Sequence, residues 1–159
     1  MPDRVRFILN GRPADVEIGP AERLIDILRG RLGLKGTRFG CGEEMCGACT
    51  VLVDGKPSYA CTFEAVDVEG REVVTIEGIG TPEAPHPVQE AFLEKQAGQC
   101  GYCLSGIMVS ATALIERNRQ PTRDEIVVAL DRHLCRCGAH NRIIEAVQRA
   151  AGLMVERDR

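Results

Sequence analysis

No tryptophan occurs among the 159 residues, and there are only two tyrosines and four phenylalanines. A chain so poor in aromatics builds small cores, and domains of under about 80 residues often add a metal as a staple. An excess of basic charge is missing too: 20 Lys and Arg stand against 23 Asp and Glu, for a net charge of -3. That argues against a nucleic-acid binder, which carries a patch of Lys and Arg. No stretch reaches the roughly 18 consecutive apolar residues of a membrane span. The start, MPDRVRFILNGRP, has no apolar run of signal-peptide length. The expected location is the cytoplasm, with export alongside a partner subunit left open.

Cysteine, in contrast, is plentiful. There are eight, and structural disulfides are rare in the cytosol, so the thiols point to metal or redox chemistry. They fall into two sets of four. Cys41, Cys46, Cys49 and Cys61 are spaced C-x4-C-x2-C-x11-C. Cys100 and Cys103 form C-x2-C, and after 31 residues Cys135 and Cys137 form C-x-C. Between the sets, GIGTPEAPHP (Gly78 to Pro87) has the Gly and Pro content of a linker. The expected units are residues 1–78, a linker at 79–87, and residues 88–159.

The first half reads as a small sheet packed on a helix. VRFILNG and PADVEIG are strands joined at Asn-Gly, a strong hairpin signal. PAERLIDILRGRLG carries apolar residues at helical spacing between Pro20 and Gly33. CTVLVDGKPSYAC reads as a second hairpin turning at Asp-Gly, and REVVTIEG as a last strand. The second half has helical periodicity in PVQEAFLEKQAG, LSGIMVSATALIERN, TRDEIVVALDRHL and NRIIEAVQRAAG. Thr122 with Glu125 makes a capping box. In such a bundle the two joints that carry cysteines meet at one end.

The spacing of the first set is the plant-type [2Fe-2S] pattern. Gly40, Gly42 and Gly47 let the backbone curl so that N–H groups reach the sulfurs of an anionic cluster. A structural zinc is a poor fit to C-x4-C in a glycine-rich loop, but C-x2-C with C-x-C leaves zinc open for the second set. His86, His133 and His140 read as ordinary surface or packing residues, and Arg136 as either facing a cluster or facing solvent. No base, nucleophile or phosphate loop for substrate chemistry is present.

KGTRFGCGEEMCGACTVLVDGKP, QCGYC and HLCRCGAHNRI together resemble the small iron–sulfur subunit of the molybdenum hydroxylases, the xanthine dehydrogenase and aldehyde oxidoreductase family. The resemblance covers roughly residues 3 to 152. It implies an α+β chain: an N-terminal β-grasp, ferredoxin-like [2Fe-2S] domain on Cys41, Cys46, Cys49 and Cys61, then a four-helix-bundle [2Fe-2S] domain on Cys100, Cys103, Cys135 and Cys137. It also implies that Gln99 and Cys137 touch a molybdopterin cofactor held by a large partner subunit. Substrate is hydroxylated there, and electrons leave singly through the nearer cluster and then the farther one. The resemblance further implies an external acceptor for these electrons, either a FAD-binding or a cytochrome subunit.

Two departures narrow the resemblance. Leu104-Ser105 stands where many members have Thr-Pro, and Gly138-Ala139-His140 where many have Thr-Gly-Tyr. The Cys-Arg-Cys-Gly-x-His form resembles isoquinoline- and nicotinate-type dehydrogenases, which act on N-heteroaromatics, and aldehyde-oxidising members with a separate partner. The competing reading is a stand-alone two-cluster electron carrier. Against it, the apolar stretch CLSGIMVSATALI is expected to serve as a docking face for the large subunit.

Overall fold

Asn10 and Gly11, both at positive φ, turn β1 (Asp3–Leu9) back into β2 (Arg12–Ile18), so Asn-Gly forms the hairpin that its chemistry favours. Asp54 and Gly55 do the same between β3 (Thr50–Val53) and β4 (Lys56–Tyr59). The computed structural model describes residues 3–157. β5 (Glu72–Val74) lies in the middle of the sheet, parallel to β1 and antiparallel to β3, in the order β2-β1-β5-β3-β4. This is the expected ferredoxin-like sheet. Val5, Phe7, Val51, Val53 and Val73 pack against Leu24, Ile25, Ile27 and Leu28 of the helical segment.

That segment is shorter than its periodicity predicts. Only α1 (Leu24–Asp26) is α-helical, and Ile27–Arg31 continues as a π-turn in which the Leu32 N–H donates to the Ile27 carbonyl at 3.0 Å. Ala21 at positive φ and a bridge between Arg23 and Glu64 occupy the residues before it. The last strand is also shorter than expected. After Val74 the chain enters a helical turn, α2 (Ile76–Ile79), instead of extending to Gly78.

The second half forms the expected four helices: α3 (Pro87–Glu94), α4 (Leu104–Arg117), α5 (Arg123–Leu130) and α6 (His140–Arg157). Thr122 and Glu125 make the capping box at the start of α5. His86, read from sequence as an ordinary residue, caps α3: its Nδ1 accepts from the Val88 N–H at 3.2 Å. The helices close on a core of Val88, Phe92, Ile107, Ile115, Ile126 and Val147, filled out with alanines that let the axes approach.

Most of α4 is covered within the chain, and only its first turns, at Leu104 and Met108, keep apolar surface open. Ten of its residues are buried within this chain, and Val109 and Ala113 pack on Leu52 of β3, joined by Val74, Ile76 and Ile79. The apolar run is therefore long because α4 is covered twice, by the bundle and by the sheet. β3 shows the same logic, with all four residues buried. Burying a Leu or Val completely stabilises by about 1.5–3 kcal/mol, so this seam makes one body of the two halves.

Gly106 marks its tightest point: a Cβ there would collide with the Gly47 carbonyl. We expect Gly106→Ala to cost about 1–3 kcal/mol by overpacking against backbone that cannot yield. Exposed Gly30, whose Cβ would meet nothing within 4 Å, is the control. Gly30→Ala is expected to be neutral or stabilising by up to about 1 kcal/mol. Thermal melts of both variants check the contrast, and an unchanged melting temperature in Gly106→Ala would mean the contact does not matter.

Candidate iron–sulfur sites

The first cysteine loop leaves the helical segment through Lys35 and Thr37, whose carbonyls both accept from Arg29, at 2.8 and 2.7 Å. Its return is tied down where Arg38 N–H donates to Ala48 and Ala60 N–H donates to Cys49. Within the loop the Glu43 and Met45 N–H groups point at the Cys41 sulfur, at 3.4 and 3.3 Å. The N–H of Glu43 and, more weakly, its neighbours hold the exposed Cys41 thiol down at about 7. Burial does the reverse to Cys49, pushing it up to about 12 beside Cys61. Each of these two thiols is only 1% exposed.

Cys41 interacts with Cys46, and Cys49 with Cys61. In the second set Cys100 and Cys137 lie 3.5 Å apart sulfur to sulfur, and Cys103 interacts with Cys135. Burial pushes Cys103 up to about 12. Burial also works against ionised Cys135, but the N–H groups of Ala139, Cys137 and Gly138 overcome it and hold this thiol below its usual range. The N–H of Tyr102, followed by the Cys137 thiol, lowers exposed Cys100. Each set thus joins buried thiols, Cys49 and Cys61 in the first and Cys103 in the second, to an exposed one, Cys41 or Cys100.

The donor set fits a [2Fe-2S] cluster, in which four thiolates serve two irons. N–H groups already aimed at sulfur suit an anionic cluster. Among the described residues, the buried side-chain polar atoms without a partner are Thr37 Oγ1, Ser105 Oγ and His133 Nδ1. Ser105 and His133 stand two residues from Cys103 and Cys135, and Thr37 four from Cys41. Unsatisfied buried polar atoms are costly, and in the sequence each of these stands within four residues of a cysteine.

The two sets are neighbours. Leu134 N–H donates to the Cys46 carbonyl at 3.1 Å, and Tyr102 donates its hydroxyl proton to the Phe39 carbonyl. Arg38 lies over the Tyr102 ring and Arg132 over the Tyr59 ring. Gln99 is exposed, and its Nε2 donates to the Cys137 carbonyl at 3.1 Å. Arg136 and His140 are exposed.

Sequence reading missed His133, which is 7% exposed and bonded through Nε2 to Ser110 Oγ at 2.8 Å. Burial pushes it down to about 4, so the ring is neutral near pH 7. It missed Gly106 as well, although a glycine inside an apolar helical run signals close backbone approach. Glu44, at positive φ, accepts from the Thr62 hydroxyl and so ties the loop to the segment carrying Cys61.

Residues 36–88 match the family described as "2Fe-2S iron-sulfur cluster binding domain", and residues 75–148 the "[2Fe-2S] binding domain" family. The chain is 44% identical to one subunit of the nicotinate dehydrogenase of Pseudomonas putida, over 95% of this chain and 96% of that one. Its fold matches a chain of quinoline 2-oxidoreductase from Pseudomonas putida 86 with a TM-score of 0.93 and 35% identity, covering 98% and 97% of the two. It also matches the aldehyde oxidoreductase of Desulfovibrio desulfuricans, with a TM-score of 0.93 and 38% identity, over 97% of this chain but 17% of that longer one. Two four-thiol loops on a ferredoxin-like sheet and a helical bundle, in a chain matched along nearly its whole length, place this protein in the molybdenum hydroxylase family as one of its small iron–sulfur subunits.

Proposed function

We propose that this chain passes electrons from a large molybdopterin-bearing subunit to an external acceptor, with Cys41, Cys46, Cys49 and Cys61 holding one [2Fe-2S] cluster and Cys100, Cys103, Cys135 and Cys137 the other. Bound in this way, such clusters take up and release single electrons. The observation that carries the reading is the meeting of the two thiol sets. One backbone hydrogen bond, from Leu134 to Cys46, joins a residue of the first set to the neighbour of Cys135 in the second. We place the first domain at residues 1–78 and the second at 88–159, with the stretch between them as a linker.

Gln99 and Cys137 make the edge that faces the molybdopterin. The Gln99 amide is pinned by its bond to the Cys137 carbonyl yet remains exposed. Beside it runs a groove of ≈ 680 Å³ lined by Phe92, Leu93, Leu104 and Met108, with Leu93 76% exposed. This groove, between α3 and the first turns of α4, supplies the apolar surface for the large subunit. The Cys41 edge, with exposed Phe39, Met45 and Glu43, is the side from which an acceptor is served. Its acceptor is a FAD-binding or cytochrome subunit. The nicotinate, quinoline and aldehyde enzymes among its relatives support an N-heteroaromatic or an aldehyde as the substrate class. Among the described residues, no helix is long and apolar enough to cross a membrane.

Purified with its clusters, the chain is expected to contain about four iron and four acid-labile sulfide, two of each per cluster. About two iron with bound zinc would reduce the second set to a structural site. The chain is also expected to co-purify with a large molybdenum-containing subunit, and its isolation alone and fully active in electron transfer would favour a stand-alone carrier.

Cys49→Ser and Cys137→Ser are each expected to remove a different paramagnetic signal. Loss of both signals from one substitution, in a folded protein, would contradict two separate sites.

In the complex, Cys137→Ser is expected to leave molybdenum reducible by substrate but to block its onward oxidation. Rapid-mix EPR decides this. Reduction of the Cys41 site at the wild-type rate would show that the Cys100 and Cys137 side is not the obligatory first relay.

A further inference from the structure

One buried polar group has no part in the scheme above. His133 lies between the two cysteine loops, two residues before Cys135, and its ring packs on Gly47, one residue after Cys46. A Cβ on Gly47 would collide with the ring, so glycine there admits the imidazole. On the other side Nε2 bonds to Ser110 Oγ of α4 at 2.8 Å, while Nδ1 faces the Gly47 backbone. Next along the chain, Leu134 makes the 3.1 Å bond to the Cys46 carbonyl.

We propose that His133 is a positioning residue: its ring, wedged between Gly47 and Ser110, sets the separation of the two cysteine loops and so the rate at which an electron crosses between them. The inference rests on the two-cluster function proposed above. The crossing moves one electron, oxidising one site as it reduces the other, and no bond or proton is exchanged. Core packing alone does not call for an imidazole here, since an apolar side chain would fill the space without the cost of desolvating two ring nitrogens. The Ser110 bond orients the ring, and the oriented ring bears on the loop backbone at the point where the loops are joined. Without it a cavity opens between α4 and the Gly47 backbone, and the loops can shift.

The test uses the full chain carrying both clusters. Inter-cluster electron exchange is followed by freeze-quench EPR after partial chemical reduction, and the dipolar splitting between the sites is measured in the fully reduced protein. His133→Ala is expected to slow exchange severalfold, because electron transfer slows steeply as two sites separate, and to change the splitting. The signals of the individual sites should keep their g values.

His133→Gln, whose amide reaches the place of Nε2 and keeps a partner for Ser110, is expected to restore most of the rate. Ile126→Val, in the bundle core, should lower the melting temperature but leave splitting and exchange unchanged, which separates positioning from general stability. Should His133→Ala load only one site, Ser110→Ala decides the matter: the ring stays but is untethered, and a smaller loss of the same sign is expected. Unchanged exchange and splitting in a variant loaded at both sites, or His133→Gln as slow as His133→Ala, would overturn the inference. Absence of two distinct signals in the unmodified chain would instead overturn the two-cluster reading.

Discussion

Two stretches of backbone must touch for this chain to act as one body. The Cys46 carbonyl accepts the Leu134 N–H, and Gly47 lies against Gly106 with no room for a side chain on α4. Backbone can approach backbone so closely only where Cβ is missing. Around this point the rest of the seam follows: Leu52 of β3 on Val109 and Ala113 of α4, and Tyr102 bonded to the Phe39 carbonyl. A sheet and a bundle that each have their own core are thereby held in one arrangement, and the two thiol sets come with them.

Within each set, the division between sunken and outer thiols has an electrostatic consequence. Cys49 and Cys103 are buried deeply enough to hold their protons far above neutrality. Cys41 and Cys100 lie at the surface, where backbone N–H groups favour the thiolate. Metal ligation needs all four thiolates, so binding must displace the inner protons and recover that cost from the metal–sulfur bonds. The outer thiols are the ones already prepared to begin. Burial of a thiol such as Cys49 or Cys103 shields a bound cluster from water, and burial together with N–H bonds to sulfur is how a protein sets cluster potentials.

Local chemistry made much of the fold legible. Asn10-Gly11 and Asp54-Gly55 form the turns their backbone preferences require, and Thr122 with Glu125 caps α5. Where a residue answers to distant neighbours, the reading failed. PAERLIDILRGRLG has the right period for a helix, yet the bridge from Arg23 to Glu64 and the π-turn at Ile27–Arg31 leave only a fragment of one. The apolar run of α4 suggested a surface for a partner because hydrophobicity does not say what covers it. Here β3 and the bundle of the same chain cover most of it, leaving only Leu104 and Met108 partly open.

For the site, spacing sufficed to name eight cysteines as two sets, since loops this short bring Cys41, Cys46 and Cys49, or Cys135 and Cys137, together whatever the rest of the chain does. The sequence by itself thus determined the class of chemistry, the two-part architecture and the turns. Tertiary structure alone decided which thiols pair, which of them are buried, and that His133 stands between the two loops. Those properties come from contacts between residues as far apart as Gly47 and His133, and such contacts leave no period or spacing in the chain that makes them.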